Sequence, residues 1–174
     1  MFQFLQTIIE FLHGEGISYM LSGSVAMSVY TIPRSTRNID FVINLQAKDA
    51  EKLASYFKEG YYCDKDAVTD AIEHQTMFNI IDHATGFKAD FVILKTEAFR
   101  QKEFERRIKA DFFGIPIYVV TVEDLLLSKL IWIQEMQSSI QKEDIKNLIL
   151  VEEMDWHYIR YWINSLRLNT FNLL

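Results

Sequence analysis

The sequence predicts a small mixed α/β (α+β) fold followed by a helical C-terminal part, and three observations predict it. Amphipathic helix patterns alternate with short β-rich runs up to about residue 120. A small-residue turn, Ser22-Gly23-Ser24, joins a strand end to a helix. From Thr121 onward the pattern is helical only. With 174 residues, 49% of them apolar, the chain can bury one real core. The expected division is a core over 1–120 and a helical subdomain over 121–174.

In order along the chain, Phe4, Leu5, Ile8, Ile9 and Leu12 recur at helical spacing, and the Gly14 to Gly16 stretch ends that helix. Ser18 to Leu21 reads as a strand and Val25 to Tyr30 as a helix. A basic loop (Pro33 to Arg37) and a second strand (Ile39 to Leu45) follow. Ala47 to Glu59 forms a second amphipathic helix, and Gly60 to Gln75 a polar loop with a short helix. Thr76 to Asp82 and Phe87 to Leu94 are strands joined by a tight turn at His83 to Gly86. The run Arg100 to Lys109 carries five basic and two acidic residues and reads as a solvated surface. Phe112 to Val120 reads as a hairpin or two edge strands. Thr121 caps a helix through Leu125, Leu126, Leu130 and Ile133. Two more helices, Lys142 to Val151 and Trp156 to Leu166, end the chain.

The chemistry-bearing residues cluster early. A Gly-Ser turn opening a helix presents free backbone N–H groups suited to phosphate oxygens. Asn38 and Asp40 stand two apart on a strand, so both share one face, while Ile39, Phe41 and Ile43 can bury. Lys88, Asp90 and Val92 likewise share a face of a later strand. Gly-Ser, helix, Pro-Arg-x-Thr and then Asn38-x-Asp40 resembles the signature of the nucleotidyltransferase superfold, which carries Asp-x-Asp at its end. It is most similar to the stand-alone bacterial group that includes AbiEii-type toxins.

That resemblance implies roles for particular residues. Ser22, Gly23, Ser24, Arg34 and Thr36 would grip a nucleoside triphosphate, with Arg37 a weaker member of the basic loop. Asp40 and Asp90 would hold Mg2+, and Asp82 is the weaker alternative to Asp90. Lys129 would contact phosphate or acceptor, and Asp144 matches one acid of a later family pattern. Asn147 stands where that pattern has a second acid, and Lys129 and Asp144 could also be plain surface residues. Asn38 stands where the family has its first carboxylate. Losing a full charge beside a cation forfeits on the order of 4 kcal/mol per unit-charge pair at 4 Å. Two readings therefore stay open: a weakened enzyme, or a degenerate relative that binds nucleotide or a partner without catalysis. The resemblance leaves the acceptor as a tRNA, a protein hydroxyl or a small molecule, and allows a homodimer or an antitoxin-type partner.

Other chemistries find no support in the residues. His13, His74, His83 and His157 lack zinc-ligand spacing. Cys63, the lone cysteine, excludes an internal disulfide and fits a reducing compartment. No G-x-S-x-G elbow, Walker A loop or G-x-G-x-x-G appears. No run of eighteen apolar residues exists, and Met1 to Leu12 reads as a helix rather than a signal peptide. A net charge of −6 argues against a general nucleic-acid coat. A cytoplasmic protein is expected.

Overall fold

The computed structural model describes residues 1–174. Helix α1 (Phe2–Gly14) buries the stripe expected of it, and Gly16, at φ +65°, turns the chain into β1 (Tyr19–Ser22). A short helix α2 (Gly23–Met27), β2 (Asn38–Ile43), a 3-10 turn (Ala47–Asp49) and α3 (Ala50–Tyr56) follow. Next come β3 (Tyr61–Tyr62), α4 (Lys65–His74), β4 (Met77–Asp82) and β5 (Lys88–Ile93). Helix α5 (Ala98–Glu105), the hairpin β6 (Ile108–Phe112) and β7 (Ile115–Val119), then α6 (Val122–Glu135), α7 (Ser139–Leu148) and α8 (Trp156–Ser165) complete the chain.

The strands form one mixed seven-stranded sheet in the order β3-β4-β5-β2-β1-β7-β6. Most neighbours are antiparallel, but β2 runs parallel to β5 and β1 parallel to β7. The β2–β5 register sets Asp40 opposite Asp90 and, one residue on, Phe41 opposite Phe91. Alternation along each strand then sends the acids to one face and the rings to the other. On the ring face Phe41, Phe91 and Phe78 stack in a row across β2, β5 and β4, with centroids 5.0 Å apart at each step. Helix α1 packs here through aromatic contacts, Phe11 on Phe57 just after α3 and Phe4 on Tyr61 of β3, and α4 adds buried Val68 and Ala71. One continuous apolar cluster of 43 buried residues runs from α1 through the sheet into α6, α7 and α8, so the C-terminal helices share the core of the strands.

Local structure departs from the sequence expectation in several places. Residues 60–75 hold a short strand and a ten-residue helix, where a loop with a short helix was expected. Asp64 caps α4 by accepting from the N–H groups of Asp66 (2.8 Å) and Ala67 (3.3 Å), and Val68 and Ala71 bury. Helix α2 ends at Met27 instead of Tyr30, and β1 extends to Ser22. Helix α7 starts at Ser139, because Ser138 caps it by accepting from the Gln141 N–H at 3.2 Å. Asp82 takes the Ala84 N–H at 3.0 Å and closes the β4–β5 turn, three residues along β4 from Asn79 and so on the opposite face from Asp90.

The charge run between α5 and β6 is not simply solvated. Glu103 is buried with Arg100 and Ser128, and Asp124 is buried with Arg106, Thr121 and Tyr158. These acids hold α6 against α5 and α8, a role that charge counting alone does not suggest. Burial pushes the Glu103 carboxyl up, and Arg100 and Ser128 partly offset it.

Truncating the middle ring of the stack should open a cavity that the rigid sheet cannot close. Phe91→Ala is expected to cost about 3–5 kcal/mol, measured by urea denaturation with an unchanged slope.

Candidate active site

The acid face of the sheet centre carries the site. Ser22, Asp40, Asp90 and Asn79 lie in register across β1, β2, β5 and β4. Asn38 sits two residues before Asp40, and its Nδ2 donates to Asp40 Oδ1 (2.7 Å) and to Asp90 Oδ2 (2.9 Å). Lys88, opposite Asn38, places Nζ 2.9 Å from Asp90 Oδ2. One amide and one ammonium therefore offset two carboxylates that the parallel register forces together.

The offset is incomplete. Burial, then repulsion from Asp90, pushes the Asp40 carboxyl up to about 6, although Lys129, Lys88 and the Ser24 N–H act the other way. Gly23 makes this approach possible. It sits at φ +64°, and a Cβ there would fall 2.0 Å from Asp40 Oδ2. Only glycine lets the turn lie against the carboxylate.

A second cluster faces the acids from the helical side. Arg34, in the basic loop, forks onto Asp144 of α7, with Nε to Oδ1 at 3.0 Å and Nη2 to Oδ2 at 3.1 Å. Its Nη2 also donates to Ser24 Oγ. Lys129 of α6 donates to the same Asp144 Oδ2 at 2.7 Å and to Gln141 Oε1 at 3.3 Å. Burial opposes ionisation of Asp144, but Arg34 and Lys129 outweigh it and hold the carboxyl below its usual range. Burial likewise lowers Lys129, and Asp144 restores part of the loss.

The structure thus brings together Ser24, Arg34, Asn38, Asp40, Asp90, Lys129 and Asp144. Lys129 and Asp144 are 6% and 2% exposed, which excludes the reading of them as surface residues. Other sequence candidates lie at the margin. Thr36 ties its hydroxyl to the backbone N–H and C=O of Asn38 and so shapes the entry to β2. Arg37 is exposed, and its backbone carbonyl, rather than its guanidinium, is engaged, by Lys88 N–H. Ser22 pairs with Asp40 in the β1–β2 register. Lys88 was missed as a site residue, although its period-2 relation to Asp90 placed it on the same face. Cys63 is half-buried, and burial pushes its thiol up to about 11.

The donor set suits one divalent ion. Asn38 Oδ1 and Asp90 Oδ1 are buried without a hydrogen-bond partner, and both are hard oxygens. No three His, Cys, Asp or Glu side chains gather anywhere in the chain, so Asp40 and Asp90 are the carboxylates on offer, and Asn38 turns its Nδ2 towards both. That set serves one ion completed by phosphate and water, but not a pair of ions.

The sheet order and this acid-and-cation cleft define a protein of nucleotidyltransferase-like fold. No protein-family model matches the sequence, and no curated protein matches it. Solved structures do match. The chain is similar to the lincosamide antibiotic adenylyltransferase LnuA, solved with lincomycin, at TM-score 0.59 and 16% identity over 84% of this chain and 94% of that one. It is similar to the antibiotic-resistance factor ANT(2'')-Ia at TM-score 0.64 and 11% identity, over 94% of this chain and 89% of that one. An antigenic nucleotidyltransferase-like protein from Paracoccidioides brasiliensis matches at TM-score 0.57 and 14% identity, over 94% of this chain and 85% of that one. At these identities the likeness is one of fold.

Two predictions follow from the electrostatics. Asp144→Asn removes the charge that Arg34 and Lys129 share and should destabilise the chain by about 3 kcal/mol in urea denaturation. Asp40 prefers its proton in the folded state, so its contribution to stability is full below pH 3.8 and is lost as pH rises through about 6. Asp40→Asn should therefore raise the metal-free melting point at pH 7.5, by up to about 3 kcal/mol in stability, and change it little at pH 4.

Proposed function

We propose that this cleft binds a nucleoside triphosphate with one magnesium ion and transfers its nucleotidyl group, slowly, to a small-molecule hydroxyl. The observation that carries the reading is the in-register pair Asp40 and Asp90 with Arg34 and Lys129 facing it from the loop and α6. Asp40 and Asp90, with the Asn38 amide oxygen if that amide turns over, would hold the ion, which neutralises phosphate charge when bound. Arg34, Lys129 and the Gly23-Ser24 turn supply cations and N–H donors for the triphosphate. The acceptor oxygen bonds to the α-phosphorus, the bond to the β-phosphate oxygen breaks, and pyrophosphate leaves. The acid pair is the nearest base for the acceptor's proton.

A small acceptor is favoured over tRNA because the chain is acidic, at −6. LnuA is named as acting on lincosamides, and ANT(2'')-Ia was solved with adenylyl-2''-tobramycin, which supports the same choice. A second reading has its own observation. Asn38 Nδ2 and Lys88 Nζ already satisfy the acid pair without any ion, as they would in a nucleotide-binding module that has lost catalysis and serves a regulatory or toxin–antitoxin partner.

Calorimetry with each nucleoside triphosphate, with and without magnesium, together with pyrophosphate release, separates the two. Magnesium-dependent binding and slow release by this chain, rising at least about tenfold in Asn38→Asp, support the enzyme. Release by Asn38→Asp alone supports the degenerate module. No nucleotide binding by either protein would sink both readings.

A further inference from the structure

A second concavity lies away from the acid cleft. It opens where the C-terminal end of α1 meets the start of β1 and the β6–β7 hairpin, and has a volume of about 440 Å³. Tyr19 marks its place: it pairs with Ile43, three residues along β1 from Ser22, and so lies on the opposite face of the strand from the Ser22–Asp40 pair. The volume falls within the range of small-molecule sites.

Its charge is unlike that of the rest of the protein. The chain has 24 acids against 18 bases, yet none of the 11 residues lining this cavity is acidic, while Arg107, Lys109 and His13 all line it. Four arginines in the chain are half-buried. Arg34, Arg100 and Arg106 each grip a carboxylate. Arg107 does not. Its Nη1 donates to the Phe104 carbonyl, its Nε is buried with no partner, and its Nη2 makes no bond within the protein. Its guanidinium lies 4.1 Å from the Phe104 ring centroid and 5.4 Å from that of Tyr118. The rings fix its position but supply no counter-charge. A part-buried guanidinium without an anion is costly unless something else satisfies it.

Apart from Gly16 and Ser18, the remainder of the lining is apolar or aromatic, including Ile17, Ile117 and Tyr118. The floor is held firm by Tyr19, whose hydroxyl lies 3.1 Å from His13 Nε2 and accepts the Tyr118 N–H at 3.3 Å. A bare inorganic anion would leave most of this surface unused.

We propose that the cavity binds a small organic anion, a phosphate ester or carboxylate on an apolar body, with the anionic group on Arg107 and Lys109 and the body against Tyr118 and Ile17. The site is independent of the nucleotide cleft and takes a different class of ligand. It stands whether or not the chain transfers nucleotides.

The test is an amide NMR titration of the full chain with phenyl phosphate, run beside inorganic phosphate and benzyl alcohol. Saturable shifts at Ile17 to Tyr19 and Ile117 to Tyr118 are expected with phenyl phosphate, and weaker ones with either half-ligand. Arg107→Gln should weaken the binding about tenfold, and the exposed Lys109→Gln, which leaves the fold intact, about threefold. The proposal is overturned by shifts confined to Gly23, Ser24 and Asp40, or by no saturation up to about 20 mM, a level that would detect even millimolar affinity. Equal binding of benzyl alcohol, or unchanged affinity in Lys109→Gln, would overturn it as well.

Discussion

Two aspartates are held side by side on adjacent parallel strands, and the surrounding structure is arranged to tolerate that. The β2–β5 register that stacks Phe41 on Phe91 necessarily sets Asp40 against Asp90, one residue earlier. Ring stacking and apolar burial on one face hold the acids together on the other. Their repulsion is met locally by the Asn38 amide and the Lys88 ammonium. It is met at longer range by Lys129 and by the Ser24 N–H that the side-chain-free Gly23 brings close. The residual strain appears as the raised Asp40 carboxyl. An acid pair that is costly without a cation is a good receptor for one.

The second half of the cleft depends on the helices after residue 120. Lys129 reaches the site only because α6 is held at one rotation about its axis. Asp124, fully buried, accepts from Arg106, Thr121 and Tyr158 on one side of that helix. Ser128, bonded to Glu103 and to Arg100, fixes it again just before Lys129. Buried polar groups of this kind are satisfied in a single alignment and leave others unpaired, so they specify geometry more than they add stability. Asp144 then joins α7 to the basic loop through Arg34, and the cations facing the acid pair are placed by a network of charges.

The cleft and the cavity near Tyr19 treat charge in opposite ways. In the cleft every buried charge has a partner within the protein, and a ligand must exchange with those partners. At Arg107 the partner is absent from the fold. Both lie against β1, which carries Ser22 at one end and Tyr19 at the other. That strand ties a site built around acids to one built around a base.

Much of this was legible in the sequence, for physical reasons. Strand alternation put Asn38 and Asp40 on one face, and the Gly23-Ser24 turn announced a close backbone approach, because only glycine fits there. Helical periodicity found α1 and α6. Interactions that join residues distant in sequence were not legible. The sequence ranked Asp144 low because nothing local ties it to Arg34, 110 positions earlier. Glu103 looked like part of a solvated charge run, and residues 60–75 like a loop with a short helix until the Asp64 cap and the Val68–Ala71 stripe found something to pack against. Local chemistry, set by neighbours two to four residues away, was determined by the sequence itself. Which charges meet, which are buried and which is left without a partner was decided by the tertiary structure, since burial and pairing exist only once distant segments are brought together.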